Sequence, residues 1–249
     1  MDDCVDFVEG GSDDRLLLIA DHASSRVPPD IDLGISAALL GDHIALDIGA
    51  GPLARALARR LGCPAILGAW SRLVVDLNRE AAEPNVVPAF SDSWPIPGNQ
   101  SLTGEERQRR IDLYWSPYHA FIESRIKSLN PAMLVGIHSF TPQLASRPDE
   151  RRPWQVGILY NRDDRAAAIA LQLLRHAGVV AGDNQPYSGQ ELNATMNRHA
   201  EGHGLPYLGI EVRQDLIADQ TGVDRWADLL EPIIAQVAAA LACSSPIDH

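Results

Sequence analysis

Short runs of residues that are apolar without a break alternate along this chain with longer stretches in which apolar residues return every three or four positions. Leu16–Ala20 is the first unbroken run, and Asp21-His22-Ala23-Ser24-Ser25 follows it. A run with no polar alternation reads as a strand covered on both faces. Polar residues at its C-terminal end then stand where open α/β sheets keep their sites. From Asp42 the apolar residues Ile44, Ile48, Leu53, Leu57 and Leu61 recur at helical spacing, with Gly51-Pro52 as a kink or second start and Gly62 as a stop. Residues 64–69 and 73–77 are extended, the second stretch ending in Asp76-Leu77-Asn78-Arg79.

Residues 80–100 hold Pro84, Pro88, Pro95, Pro97, Gly98 and Asn99, which predicts a long loop. Thr103-Gly104-Glu105-Glu106 has the form of a capping box, and Ile111, Tyr114, Tyr118, Ile122 and Ile126 continue a helical stripe that Pro117 should bend. Residues 133–137 form the next buried strand, ending in His138-Ser139-Phe140-Thr141-Pro142. Residues 154–160 are another, followed by a helix over 163–177 that Gly178 caps. Residues 206–212 make a last strand carrying Glu211-Val212-Arg213, and 224–241 a closing amphipathic helix. This alternation predicts one α/β domain over 1–249, with a mixed, mostly parallel sheet and helices on both faces. Residues 1–14 and 243–249 are expected to be peripheral or flexible.

The formal net charge of −12 repels phosphate backbones and anionic membranes, so neither nucleic acid nor a membrane is an expected partner. A pocket lined by arginines can still take a small anion. Cys4, Cys63 and Cys243 are scattered singly, without the pairing of a disulfide framework or a thiolate metal site. Met1-Asp2-Asp3-Cys4 lacks a basic targeting region, and no segment is read as apolar over the roughly 20 residues of a membrane span. A cytoplasmic location is expected.

His22, His138 and Glu211 each fall at the end of a predicted buried strand. Such groups are costly there unless they are paired or ligated, and two imidazoles with a carboxylate and an open position make a catalytic zinc site. Six strings then carry a resemblance: Asp21-His22-Ala23-Ser24; Asp42-His43 through Asp47-Ile48-Gly49-Ala50; Ser71-Arg72 through Asp76-Leu77-Asn78-Arg79; Gly136-Ile137-His138-Ser139-Phe140-Thr141-Pro142; Asp183-Asn184-Gln185-Pro186-Tyr187-Ser188-Gly189; and Glu211-Val212-Arg213-Gln214-Asp215. In order and kind they resemble the N-formylglutamate amidohydrolase family, which is related to zinc carboxypeptidases and aspartoacylases. The resemblance implies a zinc carboxypeptidase-like fold and hydrolysis, with Zn(2+), of an N-formyl or short N-acyl amino acid bearing a free carboxylate.

Those relatives take two ligands from a His-x-x-Glu run, whereas the residue three after His22 is Ser25, a poor zinc ligand. With His22 and His138, Asp47 is therefore the expected third ligand and His43 the alternative, the two sharing a helical face if the helix from Asp42 forms. Glu211 is expected as general base and acid. Arg72, Asn78, Arg79, Asn184, Tyr187 and Arg213 are the expected substrate-binding set, a guanidinium being suited to grip a carboxylate with two bonds. His199 and His203 are read as loop residues, His119 as a helix-surface histidine, and Arg107, Arg109 and Arg110 as a solvated face. Two other readings stand beside this one: an aspartoacylase-like or carboxypeptidase-like hydrolase with another acyl group, and a non-catalytic binder on the same fold.

Overall fold

Every residue of Leu16–Ala20 and of Met133–Phe140 is buried, as strands covered on both faces must be. The structure, a computed structural model, describes residues 3–11 and 15–244; residues 1, 2, 12–14 and 245–249, which take in parts of both ends expected to be peripheral, lie outside the described residues. Seven strands form one sheet: β1 (Val5–Val8), β2 (Leu16–Ala20), β3 (Ala65–Gly68), β4 (Met133–Phe140), β5 (Val156–Leu159), β6 (Ala181–Asp183) and β7 (Tyr207–Arg213). Their spatial order is β1-β3-β2-β4-β7-β5-β6. The pairs β3/β2, β2/β4, β4/β7 and β5/β6 are parallel, whereas β1/β3 and β7/β5 are antiparallel. The fold class read from the sequence therefore holds.

The helices are α1 (Ala50–Leu61), α2 (Gly104–Arg110), α3 (Ser116–Leu129), α4 (Arg165–His176), α5 (Ala194–His199) and α6 (Gln220–Ser244), with shorter turns between them. Alternate strand residues divide the core. Leu16 and Leu18 join Leu53, Leu57, Leu174, Trp226 and Leu230 of α1, α4 and α6 on one face, and Leu17 and Ile19 join Tyr118, Ile122 and Met196 of α3 and α5 on the other. By length and composition Gln220–Cys243 would suit a membrane span, against the sequence reading, yet its Trp226, Ala227, Leu230, Ile233, Ile234 and Val237 fill this core.

Several elements differ from expectation for local reasons. Residues 73–77 are buried but form no strand, because Val74 N–H bonds Ser71 and Asp76 N–H bonds Val86, spending the backbone on turns. The chain from Asp42 is likewise not yet helical, and α1 begins at Ala50 after Gly49, whose φ of 80° only glycine adopts freely. A side chain at Gly49 would also press on the Ile217 carbonyl oxygen. β1, within the N-terminal stretch read as peripheral, and β6 were not anticipated. Both are short edge strands of three or four residues, too brief for a periodic signal. The capping box at Thr103 forms, but Pro117 sits in the first turn of α3 after a π-helical segment, Ile111–Trp115, instead of bending one long helix.

Two corrections concern polar residues. Arg110 is buried, donating to Val74 O and Asn99 Oδ1, so it is no solvated-face residue. His119 is buried too: its Nε2 lies 3.0 Å from Leu77 O and its Nδ1 2.9 Å from Nε2 of His199, the last residue of α5. A carbonyl only accepts, so neutral His119 donates from Nε2 and receives the His199 proton at Nδ1. Burial depresses both imidazoles, His119 to about 3 and His199 to about 4.

A pH dependence of stability follows. Unfolded imidazoles take up protons as the pH falls through about 6.5, while the folded pair stays neutral. The stability this pair supports is thus full above that pH and declines toward pH 4, by up to about 2 kcal/mol per histidine at pH 5. Melting curves from pH 7.5 to 5 should fall less steeply for His119→Gln/His199→Gln than for the parent. Parallel slopes would show that the pair titrates as ordinary histidines do.

Candidate active site

His22 stands two residues beyond β2, and the Asp47 backbone N–H bonds its carbonyl at 3.0 Å, which ties the loop before α1 to the sheet edge. β4 and β7 run parallel with His138 opposite Glu211, so the sheet register alone puts an imidazole beside a carboxylate. These pieces meet around one oxygen. Asp47 Oδ2 lies 2.9 Å from Nδ1 of His138 and 3.3 Å from Nδ1 of His22. One ligand atom from each of His22, Asp47 and His138 falls within 4.8 Å of the others, and all three residues are buried. Among the described residues this is the one His, Cys, Asp and Glu cluster with such spacing.

The far side of each imidazole is also occupied. His22 Nε2 is hydrogen-bonded to Asp76 Oδ1 at 2.7 Å, and His138 Nε2 stands at an ion-pair distance of 3.3 Å from Asp21 Oδ2, an oxygen with no aligned hydrogen bond among the described residues. A carboxylate at Nε2 keeps the proton there and turns the Nδ1 lone pair inward, the arrangement that prepares a histidine to ligate a metal. Asp21 is in turn held by Tyr118 Oη at 2.7 Å and Thr195 Oγ1 at 3.0 Å. Neither Asp21 nor Asp76 was given a role from the sequence. The signal was present, since each is a carboxylate in a matching string at the end of an apolar run.

Arg72 bridges two of these acids, with Nη1 3.1 Å from Asp47 Oδ1 and Nη2 2.9 Å from Asp76 Oδ2. Asp21, Asp47, Asp76 and Glu211 are all buried. Burial opposes their ionisation, yet the charges of Arg72 and His22 hold Asp76 far below the usual carboxylate range, and His22, His138 and Arg72 do the same for Asp47. At His138 burial opposes the cation, but Asp21 and Asp47 raise it well above an ordinary histidine; His22 is raised by Asp76 and Asp47 against burial and Arg72. Glu211 is pushed up to about 7 by burial, with Asp47 adding to the effect. Its buried Oε2 has no hydrogen-bond partner among the described residues. Excess buried negative charge, two imidazoles drawn toward protonation and an orphaned carboxylate oxygen are together what a site built for a cation shows.

The group forms part of the wall of a cavity of about 810 Å³. Of the expected substrate-binding residues, Arg72, Asn78, Arg79, Asn184 and Tyr187 line it. Arg213 is not among the lining residues: its guanidinium pairs with Asp215 at 2.7 Å and donates to Trp154 O, drawn aside by an acid two positions on. His43 lines the cavity apart from the metal-spaced group, held by Asp42 and by Asp92 Oδ2, the latter at 3.0 Å. No helix forms from Asp42, so His43 and Asp47 share no helical face. Asn184, at φ 50°, spends its Oδ1 on Tyr160 N–H and Gly189 N–H and so shapes the loop that carries Tyr187. Asn78 Oδ1 accepts from Thr195 N–H, which leaves its amide NH₂ as a donor. Arg79 is much less engaged than Arg72, its nearest acid being Asp76 Oδ2 at 3.9 Å. Arg152, which sequence reasoning passed over, also lines the cavity.

The profile of the N-formylglutamate amidohydrolase family matches residues 14–218. The chain is 28% identical over 248 residues to the N-formylglutamate deformylase of Pseudomonas aeruginosa, covering 91% of this chain and 88% of that protein. Among solved structures, that of the gene product Atu2144 from Agrobacterium tumefaciens superposes with a TM-score of 0.88 at 30% identity over 96% of each chain. The N-formylglutamate amidohydrolase from Ralstonia eutropha JMP134 shares the fold, with a TM-score of 0.71 at 19% identity over 97% of this chain and 99% of that one. The chain belongs to the N-formylglutamate amidohydrolase family.

Proposed function

We propose that this chain is a zinc-dependent amidohydrolase that cleaves the amide bond of N-formylglutamate or of a closely similar short N-acyl amino acid. The observation that carries the reading is the pair of inward-facing Nδ1 atoms meeting Asp47 Oδ2 beside a buried, protonatable Glu211, in the wall of a cavity that also holds arginines. Two imidazoles and a carboxylate suit zinc with a coordination position left open. His22, Asp47 and His138 would hold it, and when bound it supplies a Lewis acid that polarises a carbonyl and acidifies water. Glu211 Oε2, without a hydrogen-bond partner among the described residues, takes a proton from water as the amide carbon is attacked and returns it to the departing nitrogen. Asp21 and Asp76 keep the two imidazoles oriented.

The arginines divide the work. Arg72 is committed to Asp47 and Asp76 and so holds the metal-binding group together, whereas Arg79 has donors to spare for a substrate carboxylate, with the Asn78 amide beside it in sequence and in the cavity wall. A second reading, a longer acyl group, is favoured by the cavity of about 810 Å³, which exceeds what a formyl amino acid fills. The reaction is a cytoplasmic one in this reading, as the scattered cysteines suggest.

A chelator should abolish hydrolysis of N-formylglutamate and zinc should restore it; full turnover by demonstrably metal-free protein contradicts the proposal. Glu211→Gln keeps the shape and loses the base, so kcat should drop about a hundredfold to ten-thousandfold while zinc stays bound. A variant within a few-fold of the parent would assign the proton to another group.

The two arginines should fail differently when replaced by lysine, which keeps charge but loses the fork. Arg79→Lys should weaken coupling to the substrate carboxylate, read against the neutral amide analogue in a two-enzyme, two-substrate cycle, by about 1.5–3 kcal/mol. Arg72→Lys should lower zinc affinity in a competitive chelator titration, with much smaller coupling to the carboxylate. Equal coupling for both arginines would contradict the division.

A further inference from the structure

Arg152 is a cation that neither the metal-spaced group nor the carboxylate clamp uses. Its side chain is 1% exposed although it borders the cavity. Burying a guanidinium is costly unless its N–H groups are filled, and most of them are: Nε donates to Glu150 Oε1 at 2.9 Å, Nη2 lies 2.8 Å from the same oxygen, and Nη1 donates to Thr141 O at 3.2 Å. A further bond goes to the cavity wall, from Nη1 to the Tyr187 hydroxyl oxygen at 2.9 Å, with the guanidinium carbon 4.9 Å from the Tyr187 ring centroid.

The direction of that last bond has a chemical consequence. A guanidinium has no acceptor, so the Tyr187 oxygen must accept, and its single proton is turned away from Arg152. Among the described residues no acceptor receives this proton, so at this half-buried side chain it is left for whatever occupies the cavity. Tyr187 borders the same cavity as Arg72 and Glu211. Burial pushes the phenol above its ordinary value, so it remains a donor at neutral pH.

We propose that Arg152 is a positioning residue that fixes the Tyr187 hydroxyl as a hydrogen-bond donor to an oxygen of the bound N-acyl amino acid. The inference rests on the functional reading above and deepens it: Tyr187, already expected at the substrate, is given a donor's role, and Arg152 is added as a residue that acts only through Tyr187. The oxygen is either the amide carbonyl, which gains charge during attack, or the carboxylate, and kinetics separate them.

The test is a cycle of Tyr187→Phe and Arg152→Met on the zinc-loaded full chain, with N-formylglutamate as the substrate and melting temperature and zinc content measured for every variant. Tyr187→Phe should lower kcat/KM about tenfold, the scale of one such bond. A fall in kcat assigns the amide oxygen, and a rise in KM assigns the carboxylate. Arg152→Met should cost about tenfold in the parent but less than twofold in the Tyr187→Phe background, and Arg152→Lys should recover part of the loss. If Arg152→Met does not fold, Arg152→Lys in both backgrounds reads the same coupling. Tyr187→Phe within twofold of an active parent, or an Arg152 effect equal in both backgrounds, overturns the inference alone; a parent that neither binds nor hydrolyses N-formylglutamate overturns the functional reading and this inference with it.

Discussion

Asp47 Oδ2 sits between two imidazole Nδ1 atoms, and much of the surrounding structure serves to keep a carboxylate in that place. Its backbone N–H is anchored to the end of β2 through His22 O, and its other oxygen is held by Arg72. Gly49 turns the chain from Asp47 into α1, with its Cα against Ile217 so that no side chain fits. A buried anion is tolerated only where partners surround it. Here the partners are themselves braced by acids, Asp76 behind His22 and Asp21 behind His138, so the arrangement collects more negative charge than its single bridging guanidinium balances.

The sheet explains why these residues can meet. β2, β4 and β7 lie side by side and parallel, so their C-terminal ends open on one edge. His22 follows β2, His138 lies on β4, and the register of β4 with β7 sets Glu211 directly across from His138. Loops complete the wall. The segment 72–79 brings Arg72 and Arg79, and the segment after β6 brings Tyr187 against the Arg152 guanidinium.

The parts legible in the sequence were those governed by local pattern. Leu16–Ala20 and residues 133–137 are legible as apolar runs, and the polar residues that follow them fall where a parallel sheet puts its site. What misled was apolar content without strand or helix hydrogen bonding. Residues 73–77 read as a strand because Leu73, Val74 and Val75 are apolar, yet they are buried in a turn-rich loop, and composition does not distinguish the two. Asp47 is legible as a ligand from its matching string and from the unsuitability of Ser25, but the helix expected around it does not form. The carboxylate reaches the imidazoles from a loop instead, and His43, which the helix would have placed beside it, goes to Asp92. Arg110 and His119 depart from the sequence reading because their partners come from distant segments that one-dimensional pattern does not bring together, whereas Arg213 turns to Asp215, two positions on.

The central claim is that His22, Asp47 and His138 form a metal site through inward-facing nitrogens and one carboxylate. X-ray absorption at the zinc edge of the loaded protein tests it most directly. The account predicts nitrogen and oxygen neighbours at about 2.0–2.1 Å with imidazole scattering, no sulfur, and loss of half the imidazole signal in His138→Ala. Sulfur in the first coordination sphere, or a spectrum that Asp47→Ala and His138→Ala leave unchanged, would contradict it.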